Sequence, residues 1–139
     1  IKSKKNKVMV VGHSLGAFIG LMINDHVDKN IYFDISLHPS DMFKSMENKD
    51  GIFRWKNIDE GLLEKFVLSA NSLPNIDTLL KNLKTKTYFI GALQAGARIS
   101  KSYHDTISDM SEYLEFAINH DFKGYEEWVA KTTLKLIYK

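Results

Sequence analysis

A valine-rich run, Lys7-Val8-Met9-Val10-Val11, leads into Gly12-His13-Ser14-Leu15-Gly16 and then into Ala17 to Ile23, where apolar residues recur at helical spacing. The valines suit a strand buried on both faces, whereas Leu15, Phe18, Ile19, Met22 and Ile23 form one side of a helix. The chain therefore has to reverse within the pentapeptide. So tight a reversal holds the central serine in a strained conformation and leaves no room for side chains beside it, which accounts for glycine at positions 12 and 16. Ser14 then stands at the carboxyl end of a strand, and the Leu15 N–H lies at a helix N-terminus, where negative charge is favoured.

Three more stretches have strand character: Ile31 to Leu37, ending at His38-Pro39; Thr87 to Ala92; and Glu112 to Ile118. Helical patterns separate them. The first runs from Leu15 to about His26, with Gly16 and Gly20 spaced to let it approach a sheet closely. Asn57 and Glu60 are spaced as a capping box for a helix through Leu62, Leu63, Phe66 and Val67 to about Asn71, and Pro74-Asn75 open another carrying Ile76, Leu79, Leu80 and Leu83. Ser40 to Glu47 reads as a short helix and Asn48 to Gly51 as a turn. Ser102 to Ser111 is expected to be helical, and Gly124 to Tyr138 closes the chain as an amphipathic helix with Tyr125, Trp128, Val129, Thr132 and Leu136 on one face. Strands that alternate with helices predict an α/β fold, a parallel sheet of about four strands flanked by helices. All carboxyl strand ends then share one edge, where such sheets place their sites.

Composition narrows the chemistry. A chain of 139 residues with 44% apolar and 26% charged content is expected to be a single domain, residues 1–139. A formal net charge of +2 is too mild for a polyanionic partner, so no nucleic acid is expected, and the cluster Lys2, Lys4, Lys5 and Lys7 reads as a solvated approach to the first strand. The absence of cysteine excludes disulfides, a thiol nucleophile and cysteine-ligated metal. No two histidines have metal-ligand spacing with a carboxylate, so neither metal nor cofactor is expected. No apolar run reaches about 18 residues, so no membrane span is expected, and the location expected is cytoplasmic.

The glycine-flanked serine between strand and helix, with three strands following it, resembles the nucleophile elbow of the α/β-hydrolase family of serine esterases and lipases. On that resemblance the chain is the C-terminal part of the fold, beginning just before the family's fifth strand, and residues 40–86 are a helical cap-like insert. Met42, Phe43, Met46, Ile52, Phe53 and Trp55 would line an acyl pocket there or belong to the core. The resemblance implies Ser14 as nucleophile, the Leu15 N–H as oxyanion donor, and His120, in Asn119-His120-Asp121-Phe122 after the last strand, as the base. Gln94 holds the place after the seventh strand where the family usually has its acid. Asp41, after the sixth strand, is favoured for that role over Asp105, which also fits as a helix cap, and Asp109. His13 reads as packing within the elbow, His26 as a helix-end residue, and His38 and His104 as structural or exposed.

The activity implied is hydrolysis of a small-molecule ester or related acyl substrate through an acyl-enzyme. The alternative is a non-catalytic or degenerate binding module that keeps the fold. Strands one to four of the family have no counterpart here, nor does the loop that supplies the second oxyanion donor. An N-terminal part is thus expected to be missing or never to have been present, and the edge at Lys7 to Val11 is expected to pair with that half or in a dimer.

Overall fold

Runs of valine, isoleucine, tyrosine and phenylalanine fill four short stretches, and each becomes a strand. A computed structural model describes residues 7–35, 60–92 and 111–139. The strands β1 (Met9–His13), β2 (Lys29–Phe33), β3 (Lys86–Ala92) and β4 (Ser111–Phe116) form one sheet in the order β1-β2-β3-β4, every neighbouring pair parallel. Val11 aligns with Ile31, Tyr88 and Glu112, and His13 with Phe33, Ile90 and Leu114, so the carboxyl ends lie level along one edge.

Side chains alternate between the two faces, as strand geometry requires. Tyr32 and Phe89 point to the face covered by α1 (Leu15–Met22), where Ala17, Phe18 and Leu21 join Ile76 and Leu80 of a further helix. Ile31, Phe33, Tyr88 and Ile90 point the other way, into a cluster with Phe122, Trp128 and Leu136. Between α1 and β3 lie α2 (Glu60–Asn71) and α3 (Ile76–Lys81), and α4 (Glu126–Ile137) packs over β2 on the second face. α3 is capped by Asn75, whose side chain accepts the Asp77 N–H at 2.8 Å, so the Pro74-Asn75 start is observed as expected. It lies in the layer that covers the sheet.

At the amino ends of the strands a polar network replaces apolar packing. Asn30 Nδ2 donates to Asn24 Oδ1 and Thr87 Oγ1, and Thr85 Oγ1 donates to the Asn24 and Val27 carbonyls. Lys29 Nζ donates to the carbonyls of Leu136 and Ile137 at 2.8 and 3.0 Å, satisfying two of the orphan acceptors at the end of α4. These bonds fix where the strands begin and how the last helix docks.

Four expectations change. The valines of β1 were expected to be buried on both faces, but among the described residues β1 is an edge strand with a neighbour on one side, and Val11 is 51% exposed. β2 stops at Phe33 rather than running to Leu37, because Asp34 breaks it with φ 38°. The first helix ends at Met22 and continues as a single 3-10 turn, Asn24–His26. Of the two glycines expected to let it approach the sheet, only Gly20 does so: a Cβ there would sit 2.6 Å from the Tyr32 ring, while Gly16 faces open space. The expected helix at Ser40 to Glu47, the turn at Asn48 to Gly51, the Asn57 cap and most of Ser102 to Ser111 lie outside the described residues; Ser111 itself opens β4.

Candidate active site

Three connections leave the carboxyl edge of the sheet among the described residues near one another, and each carries one residue of interest. Ser14 links β1 directly to α1 with φ 53° and ψ −121°, a conformation that side chains other than glycine's rarely adopt. Its N–H donates to the Phe33 carbonyl at 3.0 Å, which fastens the turn to the end of β2. Nothing lies within 4 Å of a Cβ at Gly16, so the lack of room expected at both glycines holds only at Gly12. A Cβ there would lie 2.8 Å from the Ala17 Cα and 2.9 Å from the Gly16 carbonyl oxygen, two rigid backbone positions. Leu15 opens α1, so its N–H is among the first-turn amides that a helix leaves without an internal acceptor.

Asp34 follows β2 and is buried, with 3% of its surface exposed. Its N–H donates to the Ile90 carbonyl at 2.6 Å, and its Oδ1 accepts the Ala92 N–H at 3.2 Å. The end of β3 thus clamps both its backbone and its carboxylate. Behind it Tyr32, Ile35, Phe89, Ile90, Gly91 and Tyr113 pack so closely that no water fits. Burial first, with the nearby charges of Glu115 and Asp34 adding to it, pushes the Tyr113 phenol up well beyond its usual range.

His120 stands in the turn after β4. Its Nδ1 is hydrogen-bonded to Asp34 Oδ2. The turn is held from behind by Phe122, which takes φ 54° and meets Phe33 and His13 edge-on at 5.4 and 5.5 Å while stacking on Trp128 at 6.4 Å. A non-glycine residue at positive φ costs on the order of 1–3 kcal/mol, which burial of the aromatic ring offsets. His13 Nε2 donates to the His120 carbonyl at 2.6 Å, and the two imidazoles lie 4.8 Å apart.

The structure therefore brings His120 and Asp34 into contact and puts Ser14 next in the chain to His13, which touches His120. It does not hydrogen-bond Ser14 Oγ to His120. Asp41, Gln94, Asp105, Asp109, His38 and His104 lie outside the described residues. His26 ends the 3-10 turn, as expected of a helix-end residue. Asp34 was missed by sequence reasoning, which placed it inside the parallel strand Ile31 to Leu37. The signal was present: an unpaired carboxylate in such a strand is costly, so an aspartate after Ile31-Tyr32-Phe33 marks the strand's end.

A groove of about 360 Å³ runs beside these residues, lined by Val11, Gly12, His13, Phe33, Phe122 and Val129, with Asp121 and Glu126 among its walls. Among the described residues no three His, Asp or Glu side chains converge as a metal site, and no helix is long and apolar enough to cross a membrane.

No family model matches the chain, and no curated protein sequence matches it. Solved structures do. A lipase-esterase related protein from Clostridium acetobutylicum superposes with a TM-score of 0.63 at 18% identity over 96% of this chain and 67% of its own. An N-acyl homoserine lactone degrading enzyme gives 0.62 at 16% identity over 95% and 68%, and a serine hydrolase involved in carbazole degradation gives 0.56 at 16% over 99% and 66%. The chain spans about two thirds of the length of these structures. It has an α/β-hydrolase-like fold, a four-stranded parallel sheet flanked by helices.

Proposed function

We propose that the chain carries the catalytic end of a serine hydrolase acting on a small ester or related acyl substrate. Gly12 to Gly16 is read as the nucleophile elbow. Ser14 Oγ attacks the acyl carbonyl and gives its proton to His120 Nε2. The Leu15 N–H donates to the oxyanion that forms. His120 then passes the proton to the leaving alcohol, and a water deprotonated by the same imidazole releases the acid and restores Ser14. Asp34 takes the role first given to Asp41: it keeps the His120 proton on Nδ1 and stabilises the imidazolium.

The observation that carries this reading is the His120 Nδ1 to Asp34 Oδ2 hydrogen bond on the same sheet edge as the Ser14 turn. Ser14 Oγ and His120 would close the remaining gap in the substrate complex, as such bonds often tighten only then. The solved structures with this fold include hydrolases, which supports the class but not the substrate. The test is release of p-nitrophenol from a short p-nitrophenyl ester. Turnover that vanishes in Ser14→Ala supports the reading, and turnover equal in wild type and Ser14→Ala contradicts it.

A second reading is favoured by one observation, the absence of a Ser14–His120 hydrogen bond. It takes the chain as a non-catalytic module that keeps the fold. On either reading the uncovered edge of β1, with Met9 and Val11 exposed, is the place where a further strand or a second copy would pair.

A further inference from the structure

His13 lies inside the Gly-x-Ser-x-Gly pentapeptide, where its expected role was packing. Its geometry assigns it more. The Nε2–H donates to the carbonyl oxygen of His120 at 2.6 Å, the two rings lie 4.8 Å apart at 40°, and the His13 ring meets Phe122 edge-on at 5.5 Å. Both neutral imidazole with its proton on Nε2 and imidazolium supply this donor, so the bond survives protonation of His13. The His120 turn thus has three anchors. Asp34 holds the ring, Phe122 wedges the backbone into the apolar cluster, and His13 ties the main chain of His120 to the strand that carries Ser14.

Resting on the hydrolase reading above, we propose that His13 is a positioning residue: it holds the backbone of His120 at a fixed distance from β1, so that the imidazole faces Ser14. The other two anchors are Asp34, just after β2, and Phe122, packed under α4; among the described residues His13 alone ties the main chain of His120 to β1. An imidazole displaced by about 1 Å costs on the order of 10²-fold in rate.

The test uses the full chain with ¹⁵N-labelled histidine and the variants H13Q and H13F. Gln retains an N–H near the position of Nε2, and Phe retains the ring without the donor. In wild type and H13Q, His120 is expected as one tautomer with a slowly exchanging Nδ1–H, and in H13F that proton is expected to exchange at least tenfold faster. Reaction of Ser14 with a fluorophosphonate is expected to slow by about 10- to 100-fold in H13F and to return to within about threefold of wild type in H13Q. Thermal melts identify a variant that has lost its fold. Should H13F unfold, H13Q carries the test, since loss of the His120 signal despite a retained donor overturns the proposal. An unchanged His120 exchange rate in folded H13F overturns it equally. No labelling of Ser14 in any variant, with the His120 signal responding as expected, sinks the hydrolase reading and leaves the anchoring role of His13 standing.

Discussion

Asp34 and His120 lie 86 residues apart in sequence and meet side chain to side chain, the carboxylate 1% exposed and the imidazole 26% exposed. The burial is asymmetric in a useful way. Asp34 is enclosed, with Oδ1 held by the Ala92 N–H and Oδ2 by His120, so its orientation does not depend on solvent. His120, by contrast, stays partly exposed.

Removing the charge of Asp34 while keeping its shape separates it from the other carboxylates. Asp34→Asn is expected to lower kcat for a p-nitrophenyl ester by about 10⁴-fold, as the amide favours the wrong imidazole tautomer. Asp41→Asn is expected to change it by less than about tenfold. A larger loss in Asp41→Asn than in Asp34→Asn returns the role to Asp41.

The two glycines of the pentapeptide differ sharply in surroundings, and their alanine variants should differ accordingly. At Gly12 the new methyl meets the backbone of Gly16 and Ala17, which cannot give way without moving α1, so Gly12→Ala is expected to destabilise by about 1–3 kcal/mol. At Gly16 nothing lies within 4 Å and the residue is helical, so Gly16→Ala is expected to be neutral or to stabilise by up to about 1 kcal/mol. Urea unfolding of both variants measures the contrast.

How far the sequence foretells this arrangement depends on how local the determinant is. The strand from Thr87 was expected to within one residue, because a β-branched and aromatic run bounded by lysine and small residues settles it locally. Parallel pairing followed from the helical spacing between strands, and His120 from its place just after the last strand. Asp34 was passed over for two reasons. The apolar run was read on to Leu37, and the residue that explains the aspartate is 86 positions away. The exposure of Val11 was hidden for a similar reason: a valine reads the same in an edge strand as in a central one, and only its neighbours decide. His13 was expected to pack, but it is exposed, touching the His120 and Phe122 rings, and the carbonyl it bonds lies 107 residues on.

Glu112 links the end of the chain to the sheet and predicts a pH dependence. Its carboxylate bonds Lys139 Nζ at 2.6 Å and Lys86 Nζ at 3.0 Å, and these partners, Lys139 first, hold it below the usual carboxylate range. A folded-state value below the unfolded one adds stability above the unfolded value and loses it as pH falls through the folded one. Glu112→Gln is therefore expected to be less stable than wild type by under about 1 kcal/mol at pH 7, since the pair is partly exposed, with a smaller difference at pH 3. Guanidinium unfolding at both pH values checks it, and a difference that grows in acid has the wrong sign.

The central claim is that Ser14 is a nucleophile activated by the His120–Asp34 pair, and intact-mass and peptide mass spectrometry after exposure to a fluorophosphonate test it most directly. One adduct on Ser14 in the wild-type protein, absent in Ser14→Ala and strongly slowed in both His120→Ala and Asp34→Asn, is the predicted result. No adduct on Ser14 under conditions that label a control esterase, or labelling as fast in His120→Ala as in wild type, contradicts the claim.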